Sequence, residues 1–337
     1  MFTKFSRTDI VILDISRHKF FEGLATLLLF ATVMAIATSV SYIPAEPEAV
    51  TTMTPIGLLV GRFALSHPLL SVVCVAVIMV YSVLRLARAT ARAMLYPQGT
   101  LAAISLGAVT LLALLPSANY AYLAVVALLM CETFGRLIYC FGPNIRAHYL
   151  FTAMLALGTL PLVDGALSPL VVVVVVLTIL LRSTMRETIV TLVGVVSPLF
   201  VCCYVEWLAM GDFEAPILAV REALMASSLE TIIDYLTLPR LIFIGVMIAA
   251  AAVSIMLYFT NRVSLGVGVR NVWLVLLMSA AVLAVSIFLG GFITPGVIVA
   301  MAIIFVPMLP MLFICAQPLT AVLAYVLFVL ASFVALL

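Results

Sequence analysis

One stretch, SPLVVVVVVLTILLR at residues 168–182, decides how the whole chain is interpreted. Its six consecutive valines, residues 171–176, would favour a β-strand in a water-soluble protein, because β-branched side chains are enriched in strands. In lipid, an open strand leaves its backbone N–H and C=O groups without hydrogen-bond partners, whereas a helix pairs them within the segment. The structure predicted for this stretch therefore depends on the solvent around it.

The composition of the 337-residue chain identifies that solvent as lipid. Hydrophobic residues make up 66% of the chain, charged residues make up 9%, and the mean hydropathy is +1.36. Soluble domains carry about 25% charged residues, and a soluble fold could not hide so much apolar surface. We therefore predict an all-α polytopic transmembrane helical bundle in which residues 168–182 are helical. The net charge of +2 gives no indication of a nucleic-acid partner.

Apolar runs that could cross a bilayer recur along the chain. About 20 helical residues are needed to span the hydrocarbon core. Eleven runs reach or approach that length, at residues 20–42, 68–87, 100–115, 119–138, 148–164, 167–182, 188–210, 239–260, 271–289, 294–314 and 318–337. They predict a single transmembrane domain over residues 1–337, in which short neighbouring runs form helical hairpins.

The positions of lysine and arginine predict the orientation, because cytoplasmic loops of membrane proteins are enriched in both residues. With a cytoplasmic N-terminus, 13 of the 16 basic residues fall inside, and only Arg62, Arg221 and Arg240 fall outside. The first apolar run is long enough to span, so we expect a retained helix rather than a cleaved signal peptide. These patterns predict a multi-pass protein of the bacterial inner membrane, with the lipid bilayer as its main partner.

Two outer loops, residues 43–67 and 211–238, are predicted to carry short surface helices. Pro55 can open a helix over residues 55–66, and Ser227 with Glu230 makes a capping-box pattern before residues 232–236. Apolar side chains recur at helical spacing in both segments, as in helices that lie flat at a membrane interface. Such helices either only cap the bundle or help to form a site on its outer surface.

Polar residues inside the apolar runs are few, and each has a structural and a functional interpretation. Glu132 precedes Arg136 by four residues, a spacing that allows an ion pair on one helix face. Glu206 lies beside Trp207 near the outer end of its run, where it either anchors the interface or contacts a substrate. No Asp, Lys or Arg is predicted at mid-membrane depth, because Asp164 is assigned to an outer connection. This distribution disfavours an ion-coupled transporter.

Helix-breaking residues give a second set of candidate functional residues. Gly194, Ser197 and Pro198 interrupt the seventh run, and Gly158 and Pro161 interrupt the fifth. Such breaks open cavities or leave backbone carbonyls available to a ligand, although they are also common in packed membrane helices. Pro198 is therefore a candidate substrate contact.

The sequence indicates no metal site and no cofactor. The three histidines lie outside the predicted hydrocarbon region, and the six cysteines form no CxxC pair. A metal centre within the membrane would need clustered histidine and carboxylate ligands. The cysteines are interpreted as small hydrophobic side chains within helices.

Residues 148–213 carry a pattern that points to a family. A hairpin bears Gly158 and Pro161, a span ends at Leu181-Arg182, and the following segment carries Arg186-Glu187, Gly194, Pro198 and Tyr204. This pattern resembles an uncharacterised family of multi-pass inner-membrane proteins of the Bacteroidota, whose members often carry an automatic β-carotene monooxygenase label. That label implies metal-binding histidines inside the membrane, and the predicted spans lack them. The family has no established activity, so the resemblance implies a membrane location only.

The sequence favours two functions over the ion-coupled transporter, which is disfavoured but not excluded. The first is a non-enzymatic envelope protein that binds, transports or scaffolds a lipidic substrate, such as an isoprenoid, or a partner protein. It predicts a lipid-accessible groove near the seventh and tenth spans. The second is a glycosyltransferase that uses a polyprenyl-phosphate sugar, with Glu46 or Glu48 as the general base. In that enzyme the outer cations Arg62, Arg221 and Arg240 would bind the phosphates, and the scarcity of such cations favours the first function.

Overall fold

The computed structural model describes residues 20–41, 53–96, 100–141, 147–182, 184–225, 232–233, 235–261, 265–290, 293–315 and 318–336. Within these ranges the chain is helical, and its one strand-like pairing is an isolated bridge between Met53 and Asp164. The all-α prediction is confirmed. The valine run of residues 171–176 is helical, as expected when each backbone group must find its partner within the segment.

Fourteen helices are described, and two short 3₁₀ turns connect the sixth to the seventh. The helices are α1 (Phe20–Ser41), α2 (Pro55–Ser66), α3 (Pro68–Arg92), α4 (Ala102–Leu114), α5 (Tyr120–Cys140), α6 (Ala147–Thr159), α7 (Ser168–Arg182), α8 (Met185–Met210), α9 (Ala215–Met225), α10 (Leu238–Asn261), α11 (Val267–Gly290), α12 (Pro295–Phe305), α13 (Pro310–Cys315) and α14 (Pro318–Val334). The 3₁₀ turns are Leu160–Leu162 and Gly165–Leu167.

Seven helical segments of the described chain are long and apolar enough to cross a membrane. They are Gly23–Val40, Pro68–Arg92, Tyr120–Cys140, Met185–Met210, Leu238–Thr260, Val267–Phe288 and Pro295–Cys315. The other four predicted spans correspond to shorter apolar helices. One of them, α4, has 13 residues, and at 1.5 Å per residue it is about 20 Å long, less than the hydrocarbon thickness of about 30 Å.

The centre of the bundle is formed by α4, α5 and α12. All 13 residues of α4 are buried, and α1, α3, α12 and α14 pack around it. Of an apolar 18-residue stretch within Pro295–Cys315, which contains α12, 83% of the residues are buried. The corresponding share for α8 is only 22%. These two helices therefore have different environments: α12 contacts protein on all sides, and most of α8 faces outward.

The two ends of the bundle differ in charge. The ends of α3 and α5 and the starts of α6, α8 and α11 lie together, and we name this the arginine-rich end, after Arg85, Arg88, Arg92, Arg136, Arg186 and Arg270. The opposite end contains the connection between α6 and α7, and we name it the hairpin end. Arg62, Arg221 and Arg240 belong to helices at the hairpin end. The predicted separation of basic residues therefore appears in the described part of the chain.

The predicted surface helices have different outcomes. A helix over residues 55–66 is confirmed as α2, which has Pro55 in its first turn. The predicted capping box of Ser227 and Glu230 lies outside the described residues. Helix α9, Ala215–Met225, was not predicted, although Pro216 near its start and the apolar-rich run after it are typical of a helix start.

Candidate functional site

The acidic residues of the glycosyltransferase hypothesis, Glu46 and Glu48, lie outside the described residues. The arginines proposed for the same site lie on three different helices. Arg62 is exposed on α2, Arg221 is exposed on α9, and Arg240 is buried at the start of α10.

Arg240 contacts backbone carbonyls at the hairpin end. Its side chain, 3% exposed, donates hydrogen bonds to the carbonyl of Tyr235 at 2.9 Å and to the carbonyl of Pro116. The guanidinium also lies 4.8 Å from the centre of the Tyr235 ring, and the Tyr235 hydroxyl donates to the carbonyl of Leu114 at 2.7 Å. Arg240 and Tyr235 therefore bind the carbonyls at the C-terminal end of α4, where a helix leaves its last carbonyls unpaired.

Glu132 lies in a second polar cluster, at the arginine-rich end. Its carboxylate accepts hydrogen bonds from Arg136 on the same helix and from the Tyr81 hydroxyl of α3 at 2.5 Å, and Arg85 of α3 lies 3.5 Å away. The predicted Glu132–Arg136 ion pair is confirmed. Because Tyr81 and Arg85 complete the cluster, it joins α3 to α5 and has a structural explanation.

Asp164 forms the most enclosed polar cluster among the described residues, and the sequence interpretation assigned it to an exposed connection. Its side chain is 0% exposed. One carboxylate oxygen, Oδ2, accepts hydrogen bonds from the Tyr122 hydroxyl at 2.5 Å and from Thr294 at 2.8 Å. The other, Oδ1, accepts the backbone N–H of Ala166 at 3.0 Å. These three partners are all uncharged.

The segments that meet at Asp164 explain why it is buried. Tyr122 is in the first turn of α5, and Thr294 is the N-cap of α12, where it also accepts the N–H of Val297 at 3.1 Å. On a third side Thr54, the N-cap residue of α2, donates to the carbonyl of Pro161 at 2.9 Å. Helix α9 packs against the turn that follows Asp164. Asp164 is thus in a connection, as predicted, but two surface helices cover that connection.

The electrostatics of Asp164 follow from this enclosure. Burial raises the pKa of its carboxyl group, which lies in the turn between α6 and α7, and the hydrogen bonds from Tyr122, Thr294 and Ala166 offset this rise in part. A helix N-terminus carries partial positive charge, so α12 also favours an oxygen acceptor at this position. The cluster can hold a carboxyl group without a cation, and its hydrogen bonds connect the turn to α5 and α12.

Pro198 and Glu206 both lie on α8. Pro198 is buried inside the helix and Glu206 is half-buried near its end. A proline lacks the N–H that would pair with the carbonyl four residues earlier, so the carbonyl of Gly194 has no helical partner. The neighbouring Ser197 hydroxyl donates a hydrogen bond to a different carbonyl, that of Val193, at 2.5 Å. Pro198, predicted as a substrate contact, is not among the residues that line the pockets beside it. Its effect in the structure is to interrupt the helix.

A depression and a pocket lie beside this interruption of α8. On the outer surface of α8, a depression of about 450 Å³ is lined by Leu192, Val193, Val196, Ser197, Phe200 and Val201. A smaller pocket of about 190 Å³ lies where α8 meets α6, α7 and α9, and its lining includes Gly158, Pro161, Val196, Ile217 and Val220. Val196 lines both, and we name the depression and the pocket together the α8 groove.

The α8 groove is apolar. Ser197 is the one polar side chain among the described lining residues, and its hydroxyl is already bonded within the helix. Pro161, which lines the smaller pocket, is three residues before Asp164, so the Asp164 cluster fixes one wall of the groove. A groove beside the seventh predicted span was expected, whereas the tenth is almost completely buried in the bundle.

Comparisons with known proteins do not assign the chain to a family. No family model, no curated protein and no solved structure matches it. Among the described residues, no three histidine, cysteine, aspartate or glutamate side chains come together as metal ligands. The site is therefore interpreted from its own geometry.

Proposed function

We propose that this chain is a multi-pass protein of the bacterial inner membrane with a cytoplasmic N-terminus and about eleven spans. Seven long apolar helices and four shorter ones at the predicted spans support this proposal. The arginine-rich end would face the cytoplasm, because cytoplasmic loops attract lysine and arginine. The hairpin end, with α2 and α9, would then face the periplasm.

We infer that the protein binds the apolar chain of a lipid, acyl or isoprenoid, in the α8 groove, and that it transports or scaffolds that lipid. The observation that carries this inference is the apolar groove at the proline interruption of a helix that is mostly unburied. An apolar chain in the groove would leave no polar side chain of the described lining residues without a partner, because the Ser197 hydroxyl is already bonded. A polar ligand would find no hydrogen-bond donor among the described lining residues.

The glycosyltransferase alternative has less support. Such an enzyme needs outer cations for the phosphates of its donor, and Arg240 contacts the carbonyls of Pro116 and Tyr235 instead. Only Arg62 and Arg221 then remain exposed at the hairpin end. A double Glu46→Gln and Glu48→Gln variant that retains its bound lipid would agree with a lipid-binding protein.

A single substitution tests the α8 groove. Val196 lines both parts of it, so Val196→Trp places a bulky indole ring where the depression and the pocket meet the same helix position. Val205 is the matched control, because it lies on the same helix and is 56% exposed, compared with 57% for Val196. The protein is purified in mild detergent, and lipid that remains bound is identified and counted by mass spectrometry.

We expect the wild type and Val205→Trp to retain the same lipid and Val196→Trp to lose most of it. Equal amounts of lipid on both variants would contradict the proposal. Thermal unfolding of both variants shows whether Val196→Trp has lost lipid only because it is unfolded.

A further inference from the structure

A cavity at the arginine-rich end shares no described lining residue with the α8 groove. It has a volume of about 720 Å³ and lies between the ends of α3 and α5 and the starts of α6 and α11. Polar groups line it from each of these helices: Arg92 from α3, Tyr139 from α5, Tyr149 from α6 and Asn271 from α11. None of the contacts described for the Asp164 cluster or the α8 groove involves this cavity.

The charge of the cavity is positive. Arg92 is its one charged side chain among the described lining residues, and no carboxylate lines it there. The start of α11, from Gly266 to Val269, forms one wall. The first N–H groups of a helix have no partner within the helix, and the 24-residue helix adds partial positive charge at this end. These features favour an anion.

The other walls of the cavity are apolar or aromatic. Leu95, Ile138, Phe141 and Val272 contribute apolar surface, and the rings of Tyr139 and Tyr149 lie 5.7 Å apart. Tyrosine is enriched where membrane hydrocarbon meets water. Met94 also lines the cavity, and its side chain is 74% exposed. An anion with an apolar body therefore fits this cavity better than a fully water-soluble anion.

Met94 has an unusual backbone conformation for its residue type. Its φ is +47°, in the left-handed region where helix-ending positions normally carry glycine. The N–H of Leu95 reaches back to the carbonyl of Thr90 at 3.2 Å, so α3 ends tightly at this point. The strained turn places an apolar side chain, rather than glycine, in the cavity wall. Such strain is often stored at binding sites.

We propose that this cavity binds the phosphate headgroup of an anionic membrane lipid, such as phosphatidylglycerol. Arg92, Asn271 and the start of α11 contact the phosphate, and the apolar wall with Met94 contacts the glycerol and the first part of the chains. Basic pockets between helices at a membrane surface are typical headgroup sites. This site is separate from the α8 groove and does not depend on the function proposed there.

Two substitutions test the headgroup site. Arg92→Gln removes the charge of the cavity, and Arg88→Gln is its control, because Arg88 is exposed one turn earlier on α3 and does not line the cavity. Gly266→Phe adds a ring to the lining of the cavity, at a position where a Cβ meets no atom within 4 Å. Each protein is reconstituted in phosphatidylcholine nanodiscs with a small fraction of phosphatidylglycerol, and bound lipid is counted by native mass spectrometry.

We expect one retained phosphatidylglycerol on the wild type and on Arg88→Gln. Arg92→Gln should bind it about five-fold more weakly, since one basic residue near an anionic surface contributes about a five-fold effect. Gly266→Phe should abolish retention. Equal retention by Arg92→Gln and Arg88→Gln would overturn the proposal.

Two further measurements separate a lipid site from a soluble-anion site and this cavity from the α8 groove. Inorganic phosphate, added at millimolar concentration, should not displace the lipid, and displacement would overturn the lipid assignment in favour of a soluble anion. Val196→Trp should retain phosphatidylglycerol at this site even if it loses lipid from the α8 groove. The two proposals therefore fail independently.

Discussion

The two carboxylate oxygens of Asp164 accept hydrogen bonds from three donors, so removing this side chain leaves three buried donors without that partner. Asp164→Ala should lower the free energy of unfolding by about 3 kcal/mol, because each unpaired buried donor costs about 1–3 kcal/mol. Tyr122→Phe removes one donor only and should cost about 1 kcal/mol. The measurement is thermal or denaturant unfolding of the purified protein in detergent.

The double variant of Asp164→Ala and Tyr122→Phe tests whether the two groups act together. Since they share one hydrogen bond, the effect of the double variant should be smaller than the sum of the single effects. Strict additivity would show that the Tyr122–Asp164 hydrogen bond contributes nothing to stability. Tyr204→Phe, an exposed tyrosine on α8, is a suitable control and should change stability very little.

At the scale of elements, the crossing of α6 and α8 forms the inner wall of the α8 groove. A Cβ on Gly158 would overlap the backbone carbonyl of Val195. Gly158→Val should therefore separate the two helices and lower the free energy of unfolding by more than about 2 kcal/mol. Small residues commonly allow such close helix contacts in membranes.

Gly245 on α10 is the control for this substitution. A Cβ at Gly245 meets no atom within 4 Å, so Gly245→Val should leave stability nearly unchanged. Unfolding curves of both variants in the same detergent give the comparison. If Gly245→Val were as destabilising as Gly158→Val, the cost would come from valine in a helix rather than from the crossing.

The elements could be predicted from the sequence to a large extent, because hydrophobic length alone locates helices in lipid. The helix of residues 55–66 and the helical valine run follow from this reasoning. The contacts could not be predicted. The partners of Asp164 are 42 and 130 residues away in the chain, and Arg240 bonds a carbonyl 124 residues away. Charge and hydropathy show where such residues lie along the chain, but not what covers them.

At the scale of the whole molecule, the orientation can be tested with two cysteines in a variant without native cysteines. Ser66→Cys lies at the exposed end of α2, and Met94→Cys lies at the exposed end of α3, and the 25-residue helix α3 separates them. We expect a membrane-impermeant maleimide to label residue 66 on spheroplasts and residue 94 only after the membrane is opened. The reverse labelling pattern would contradict a cytoplasmic N-terminus.

The complete burial of α4 has a consequence for synthesis of the protein. This helix is made before α12 and α14, yet both of them pack against it. While the ribosome is still adding the middle of the chain, the apolar sides of α4 that those helices will cover must contact lipid or the insertion machinery. At 13 residues α4 is shorter than the hydrocarbon core is thick, so as one of the eleven proposed spans it depends on the helices that surround it. The packing around α4 is therefore complete only once α14 has entered the membrane.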